Sequence, residues 1–294
     1  MSPELALFAQ ITMNGFAVGA IYALIALGIV LIYKATEVLN FAHGDILVLG
    51  AFIAWALITM AGLPFWAALF IVMALMGAFA YGLDAVVIRR IAGQPQFSGV
   101  MLTIALAFMI RGVVSMVFGP ESQSYRTPWS GQSTQIMGVS FANIELVIMG
   151  VVLGITLALW LFFRNTRLGV AMQASSQNQL AAYLNGVQVK RVNSLVFALG
   201  GATAAVAGVF LAPIALVDTA LWLVTLKALA AIVLGGFGSI PGAILGGLLI
   251  GLIEQYAGVY LPHGFKDIAA YLVLIAVLIL RPRGILGEAH GRRV

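Results

Sequence analysis

The sequence predicts an all-α, polytopic helical membrane protein with about eight or nine transmembrane spans. Of its 294 residues, 62% are hydrophobic and only 9% are charged, and the mean hydropathy is +1.08. A soluble domain of this length needs more charge than that to cover its surface. The apolar runs are also long and continuous, whereas a β-barrel would show short segments of alternating polarity.

The apolar runs define the predicted spans in chain order. A helix needs about 20 mainly apolar residues to cross the bilayer, so the shorter runs are also compatible with half-helices. In particular, 222–260 could form two spans or a re-entrant pair. The runs lie near residues 8–33, 46–62, 65–88, 98–118, 143–163, 192–214, 222–237, 242–260 and 267–280.

The basic residues predict the orientation of these spans. Met1 to Leu7 contains no lysine or arginine, which argues against a signal peptide and favours a retained first span with the N-terminus outside. Of the 15 basic residues, Arg126 and Lys266 then fall at outside ends. The inside ends receive Lys34, Arg89, Arg90, Arg164, Arg167, Lys190, Arg191, Arg281, Arg283, Arg292 and Arg293.

This distribution follows the positive-inside rule, so the pI near 9.7 reports topology rather than nucleic-acid binding. It places the loop 164–191 and the tail 281–294 in the cytoplasm. The long external segment between 119 and 143 is predicted to be a loop.

The loop 164–191 is the longest polar stretch that is bracketed by basic residues. Within it, 173–186 (QASSQNQLAAYLNG) predicts a short helix, with Ser176 and Gln179 spaced as a capping box and Asn185-Gly186 as the stop. Such a helix is marginal alone in water. It is either a solvated connector or a docking helix for a soluble partner. Its apolar face comprises Leu180, Ala181, Tyr183 and Leu184.

Two glycine-rich stretches interrupt the apolar runs in a similar way. The first is NFAHGD at 40–45 and the second is GGFGSIP at 235–241. Aligning Phe41 with Phe237 indicates a weak internal repeat. Such stretches are tolerated at membrane depth only where they are buried in protein or line a wet cavity, so they mark a translocation path. The alternative is that both are tight cytoplasmic turns.

Each interruption also predicts the start of a new helix. Asp45 would lie in a first turn, and Ser239 would act as a cap with Pro241 just after it. His43, next to Asp45, is more often a satisfied helix-end histidine than a proton relay.

Ionisable residues inside spans are costly and need partners. Arg111 and Lys227 fall within spans, and Asp45, Asp84 and Glu254 are the candidate partners. Pairing inside the helix bundle is favoured over contact with a solute.

Small residues recur at four-residue spacing and predict close contact between helices. Packing within one subunit is favoured over a dimer face. The pairs are Gly15 and Gly19, Gly150 and Gly154, Gly242 and Gly246, and Gly247 and Gly251.

Motifs that would make the chain an enzyme are missing from the sequence. It has no cysteine, only three widely spaced histidines, and no GxxxxGK[ST], HExxH or GxSxG pattern. We therefore expect neither nucleotide hydrolysis nor a metal site in this chain. If ATP drives its activity, another subunit must bind the nucleotide.

Three strings carry a resemblance that covers nearly the whole chain. They are GAIYALIALGIVLIYKATEVLNFAHGDILVLGAF at 19–52, TRLGVAMQASSQNQLAAYLNGVQVKRVNSLVFALGGATAAVAGVFLAP at 166–213, and KALAAIVLGGFGSIPGAILGGLLIG at 227–251. The sequence resembles the permease family of branched-chain amino-acid ABC importers, and within it the type that pairs with a second, related permease. The family also transports urea, short amides and aromatic acids.

The resemblance implies an ABC importer permease fold with broken helices and one transmembrane permease domain over residues 1–294. It implies a bacterial inner-membrane location, a second permease in a heterodimer, two cytoplasmic ATPase subunits and a periplasmic substrate-binding protein. The chain itself would need no cofactor, because the ATPases bind the ATP. The competing hypothesis is an ion-coupled secondary transporter that uses Asp45, Lys227 and Glu254.

The resemblance also assigns residues to roles. The loop 164–191 would carry the coupling helix that docks on an ATPase, although 177–179 has only amides where such permeases commonly carry an acidic residue. The coupling residues would be Gln173, Ser176, Gln177, Leu180, Ala181, Tyr183, Leu184 and Gly186. The translocation path would include Asn40, His43, Gly44, Asp45, Lys227, Gly235, Gly236 and Gly238.

Overall fold

A computed structural model describes residues 3–91, 94–136 and 139–287. Within these residues the fold is almost entirely helical, as the composition predicts. The helices are α1 (Pro3–Thr36), α2 (His43–Trp55), α3 (Phe65–Val86), α4 (Gln96–Phe118), α5 (Asn143–Asn165), α6 (Arg167–Gln177), α7 (Gln179–Leu184), α8 (Val189–Ala215), α9 (Val224–Gly235), α10 (Ile240–Tyr260) and α11 (Phe265–Leu280).

Each of the nine predicted runs coincides with a helix, but the described residues contain only seven helices that are long and apolar enough to span a membrane. These are α1, α2 with its π-helical extension Ala56–Met60, α3, α4, α5, α8 and α10. The remaining two runs fall short. α9 and the 3₁₀ turn before it form one apolar helix over Thr219–Gly235, and α11 has 16 residues.

The predicted external loop between α4 and α5 contains a small hairpin. Strands β1 (Ser133–Ile136) and β2 (Val139–Ala142) pair antiparallel, with Ser133 opposite Ala142. Earlier in the same loop, the Tyr125 hydroxyl donates to the Val209 carbonyl at 2.5 Å.

The same part of the loop is also joined to the segment that follows α8. The Ser122 hydroxyl donates to Asp218 at 2.5 Å. The backbone N–H of Ala220 and this hydroxyl lower the pKa of the Asp218 carboxyl.

Contacts within the chain group the residues into two compact units. The first unit comprises the described residues of 1–30, 126–153 and 224–294. Here α1 lies against α10 at glycines, because a Cβ atom added at Gly251 would collide with the backbone of Gly19, and one at Gly247 with that of Ala23. Gly246 is similarly close to Ala231 of α9.

These contacts confirm the predicted close approach of helices for three of the four glycine pairs. The pair in α5 differs. Gly150 and Gly154 have no described residue within 4 Å of the position a Cβ atom would take.

The second unit comprises 31–125 and 154–223. Its centre is α8, which contacts α3 at Gly201 and α2 at Gly208. At both positions a Cβ atom would collide with the neighbouring helix, since the backbone carbonyls of Met76 and Leu47 lie too close. The largest fully buried side chains of this unit include Phe52, Phe197 and Phe210.

Candidate functional site

The first interruption, residues 37–42, separates α1 from α2. Glu37 has a left-handed backbone, with φ of 59°, and the Asn40 side chain accepts a hydrogen bond from the Ala42 N–H at 3.1 Å. α2 then begins at His43, with Gly44 and Asp45 buried in its first turn, as the sequence predicts. The turn is thus closed by a side-chain acceptor before the helix begins.

This interruption lies beside α4 rather than beyond its end. A Cβ atom at Gly99 would contact Val38 at 2.9 Å. The Phe41 N–H donates to the Thr103 hydroxyl at 3.3 Å. Further along the same two helices, the ring of Phe52 stacks on that of Phe118 with centroids 5.3 Å apart.

α2 and α4 therefore run in the same direction. Because an α-helix rises about 1.5 Å per residue, Thr103 lies about 10 Å along α4, and Arg111 lies about 22 Å along it. α4 is itself long and apolar enough to span a membrane. A position alongside a spanning helix is compatible with membrane depth, and both predicted alternatives for this stretch stay predictions.

Asp45 and Arg111 form a bidentate ion pair at the start of α2. The Nε–Oδ1 distance is 2.8 Å and the Nη2–Oδ2 distance is 3.1 Å. The Asp45 side chain is 1% exposed and that of Arg111 is 23% exposed. The Arg111 guanidinium also lies 4.3 Å from the centre of the Trp222 ring. The predicted pairing of the Arg111 charge inside its span is confirmed.

His43 is fully buried, and neither ring nitrogen forms a hydrogen bond with any other described residue. The interpretation of His43 as a satisfied helix-end histidine is therefore wrong. The free groups at a helix start are N–H donors. Here the N–H of Ala42 is bonded by Asn40, and those of His43, Asp45 and Ile46 are bonded by backbone carbonyls.

The second interruption, residues 236–239, separates α9 from α10. Gly236 and Gly238 have left-handed backbones, with φ of 113° and 86°. Ser239 caps α10 by accepting from the Gly242 N–H at 3.1 Å, and Pro241 lies in the first turn. This helix start agrees with the prediction.

The segment after α11 closes this second interruption. The N–H of Ile285 donates to the Leu234 carbonyl and that of Leu286 to the Gly235 carbonyl, both at 2.8 Å. These carbonyls end α9 and have no partner within the helix. The contacts support a turn between two antiparallel helices. The assignment of Gly235, Gly236 and Gly238 to a translocation path stays a prediction.

Lys227 belongs to a second buried polar group, in the first unit. Its ammonium contacts Glu254 at 2.8 Å, and the Tyr22 hydroxyl donates to the other Glu254 oxygen at 2.6 Å. Asp267, at the start of α11, lies 3.9 Å from the same ammonium. The predicted pairing of Lys227 is confirmed, and the group joins α1, α9, α10 and α11.

Asp84 pairs with neither Arg111 nor Lys227. It lies 3.6 Å from Arg89 and accepts a hydrogen bond from Ser194 at 2.5 Å. The prediction that Asp84 pairs with one of the two basic residues within spans is wrong. Its carboxylate instead faces Arg89, in the 3₁₀ turn that follows α3.

The loop 164–191 contains two short helices, α6 and α7, instead of one. Thr166 caps α6, accepting from the Gly169 N–H at 2.9 Å. Asn178 caps α7, accepting from the Ala181 N–H at 2.9 Å. The predicted capping box of Ser176 and Gln179 is therefore wrong, since the Ser176 hydroxyl donates to the Gln173 carbonyl inside α6. α6 begins before residue 173, where the predicted helix starts, because Thr166 caps it at Arg167.

The stop after α7 and its apolar face both agree with the prediction. Gly186 has φ of 85° and follows the last turn. Leu180, Tyr183 and Leu184 are 68%, 68% and 75% exposed, and Ala181 is exposed beside them. Ala182 is buried. Three large apolar side chains therefore lie on the outside of a short helix in a polar loop.

Several residues that shape these sites escaped the sequence analysis. Thr103 and Trp222 carry no motif, and only their contacts with the first interruption and with Arg111 reveal them. Gln179 donates through its amide to the Ala35 carbonyl at 2.8 Å. Asn178, the actual cap of α7, could have been found, because asparagine before an apolar helical run is a common start signal.

Apolar spanning helices, a helix that starts alongside another span, and buried ion pairs are together typical of one class of protein, a multi-pass membrane transport permease. The family model described as branched-chain amino acid transport system / permease component matches residues 11–280. The chain belongs to this family, and it is a transport permease subunit of the inner membrane.

Relatives of known name are similar over almost their whole length. The high-affinity branched-chain amino acid transport system permease protein LivH of Salmonella typhimurium is 32% identical, with 100% of both chains covered. The corresponding protein BraD of Pseudomonas aeruginosa is 32% identical over 99% of this chain and 100% of its own. The probable branched-chain amino acid transport permease protein LivH of Methanocaldococcus jannaschii is 30% identical over 90% and 88%.

Proposed function

We propose that this permease, together with a second related permease in a heterodimer, forms the translocation path of an ATP-driven importer for branched-chain amino acids. Two separate cytoplasmic subunits bind and hydrolyse the ATP, so this chain needs no cofactor of its own. A periplasmic binding protein delivers the solute. Family membership supports this assembly, and the names of the relatives support the choice of solute.

The observation that carries the proposal is the exposed apolar face of α7. Leu180, Tyr183 and Leu184 are exposed and lie outside every candidate span, in the polar loop between α5 and α8. Large apolar side chains grouped on a water-exposed helix mark a surface for a protein partner. We assign this face, with Gln173, Ser176, Gln177, Ala181 and Gly186 around it, to docking on an ATPase subunit.

The proposed path includes the first interruption. Backbone groups freed at membrane depth require protein or water around them, and the buried Asn40, His43, Gly44 and Asp45 lie there. Lys227, Gly235, Gly236 and Gly238 stay in the proposal as predicted path residues of the first unit.

The proposed orientation places the N-terminus outside and the tail 281–294 in the cytoplasm, of which 288–294 lie outside the described residues. The eleven basic residues at inside ends support this orientation. It also puts α6 and α7 on the side where the ATPases are.

The test is co-purification from membranes that express this permease, the second permease and the ATPases, followed by uptake of labelled leucine into proteoliposomes. The test variant is Leu184→Asp, and the matched control is Gln188→Asp, which adds the same charge at an exposed position of the same loop. We expect Leu184→Asp to lose the ATPases and ATP-driven uptake, because a charge cannot enter an apolar contact without a partner. We expect the control to retain both.

Unchanged ATPase binding and uptake in Leu184→Asp would overturn the docking assignment. Uptake that persists with hydrolysis-deficient ATPases and stops without a proton or sodium gradient would support an ion-coupled secondary transporter instead. Competition by valine and isoleucine supports the proposed solute class. Competition only by urea, short amides or aromatic acids would replace that class.

A further inference from the structure

We infer that Gln179 is a positioning residue that connects ATPase docking at α7 to the start of α2, an inference that rests on the proposed function. The Gln179 amide donates to the backbone carbonyl of Ala35 at 2.8 Å, across a separation of 144 residues. Among the described residues, it is the one side-chain hydrogen bond from α7 to a helix that is not its neighbour in sequence.

The acceptor lies where a carbonyl needs an outside donor. Ala35 is in the last turn of α1, whose final carbonyls have no partner within the helix. A donor from the next turn would be the Val38 N–H, which lies 3.4 Å from the Thr36 hydroxyl instead. Gln179 therefore fixes the end of α1 immediately before the first interruption.

Contacts continue from that point to the beginning of α2. The Thr36 hydroxyl and the Val38 N–H lie 3.4 Å apart, and Val38 lies against Gly99. Phe41 then bonds to Thr103 of α4. The segment that joins α1 to α2 is thus held at Gln179 on one side and along α4 on the other. A displacement of α7 shifts the end of α1 and, through this short segment, the turn that carries Asn40.

The chemistry of the bond requires a donor at position 179. An ionised glutamate has the same shape but can only accept hydrogen bonds, so it would face the Ala35 carbonyl with like partial charge. A lysine can donate, and its charge lies favourably near the C-terminal end of α1. Gln188 is an exposed glutamine in the same loop, outside the proposed docking face, and serves as a matched control.

The experiment compares wild type with Gln179→Glu, Gln179→Ala, Gln179→Lys and Gln188→Glu in the complete importer. Leucine uptake and ATP hydrolysis are measured in the same proteoliposomes, and the ATPase content of each complex is quantified. We expect Gln179→Glu and Gln179→Ala to retain the ATPases but to move at least about fivefold less leucine per ATP hydrolysed. We expect Gln179→Lys and Gln188→Glu to remain within about twofold of wild type.

A chain of contacts couples two sites only when both sites bias the same conformational equilibrium. The decisive measurement is therefore the ratio of leucine uptake to ATP hydrolysis. An unchanged ratio in Gln179→Glu would overturn the inference. Loss of the ATPases from that variant would also overturn it, because Gln179 would then belong to the docking surface. Wild-type complexes without ATP-dependent uptake would contradict the proposed function itself, a result distinct from either of these.

Discussion

The two interruptions of the apolar helices have similar sequences and different surroundings. At 37–42 the chain lies along α4, where Thr103 and Arg111 supply polar partners to the start of α2. At 236–239 the chain turns between α9 and α10, and the backbone of Ile285 and Leu286 supplies the partners. An interruption between apolar helices is therefore compatible with both a helix start alongside a neighbouring span and a closed turn. The neighbouring element decides between them.

The largest expected effect is at the ion pair of the first interruption. Asp45→Ala removes the carboxylate that pairs with the Arg111 guanidinium, at a position where the Asp45 side chain is almost fully buried. We expect a loss of about 3–5 kcal/mol in the free energy of unfolding, since an uncompensated charge remains. The measurement is the thermal unfolding midpoint in detergent, together with the yield of monodisperse protein.

The control for this prediction is the double variant Asp45→Leu with Arg111→Met, which removes both charges. We expect it to recover most of the lost stability, because replacing a buried pair by apolar residues is often nearly neutral. If Asp45→Ala alone lowers stability by less than about 1 kcal/mol, which is typical of exposed pairs, the first interruption is accessible to bulk water and the contrast with the second disappears.

An intermediate effect is expected at the second interruption. A Cβ atom in Gly236→Ala would overlap the backbone of Gly287 and would also strain a left-handed residue. We expect a loss of about 2–4 kcal/mol in the free energy of unfolding from strain and overpacking together. Gly238→Ala is the matched control, because its Cβ atom would meet open space at a similar φ.

We expect Gly238→Ala to cost only the backbone strain of about 1–2 kcal/mol. Thermal unfolding of both variants under identical conditions gives the difference. Equal losses would mean that residues 284–287 do not pack on the turn in solution. The second interruption would then be open to water, as expected if it lines a translocation path rather than forming a tight turn.

The smallest expected effect is at the two side-chain acceptors, one in each interruption, that bond a backbone N–H. Asn40→Ala removes the acceptor of the Ala42 N–H, and Ser239→Ala removes that of the Gly242 N–H. Asn40 is buried, so water does not readily replace the lost acceptor, and we expect a loss of about 1–3 kcal/mol for Asn40→Ala. For Ser239→Ala, at the edge of a helix pair, we expect about 1 kcal/mol.

The unfolding midpoints of these two single variants, measured in the same lipid nanodiscs, test this difference. A greater loss of stability for Ser239→Ala than for Asn40→Ala would contradict the expectation that the first interruption is the less accessible to water. It would place the second interruption in the drier environment.

Features that depend on local composition could be predicted from the sequence. The apolar runs gave the helices, because burying a backbone in lipid requires continuous helical hydrogen bonding. The presence of a carboxylate partner for Arg111 and another for Lys227 was also predictable, since a charge inside a span requires a partner. The exposed face of α7 followed from the spacing of Leu180, Tyr183 and Leu184 alone.

Features that depend on distant partners could not be predicted in the same way. The position of the first interruption alongside α4 follows from the contact of Phe41 with Thr103, which are 62 residues apart. The closure of the second depends on Ile285 and Leu286, which belong to no motif. The start of α7 was missed for a local reason: Ser176 and Asn178 are both good caps, although an asparagine before an apolar run was a usable signal. The choice between them depends on where Thr166 begins α6.

The bonds from Ile285 and Leu286 to the end of α9 also set an order of assembly during synthesis. These two residues leave the ribosome after all eleven helices, so the α9–α10 turn remains incomplete while α10 and α11 are being inserted. Gly236 then stays uncovered until the chain extends past α11. The α9–α10 turn is therefore completed by backbone bonds from a segment that lies outside every described helix of the first unit.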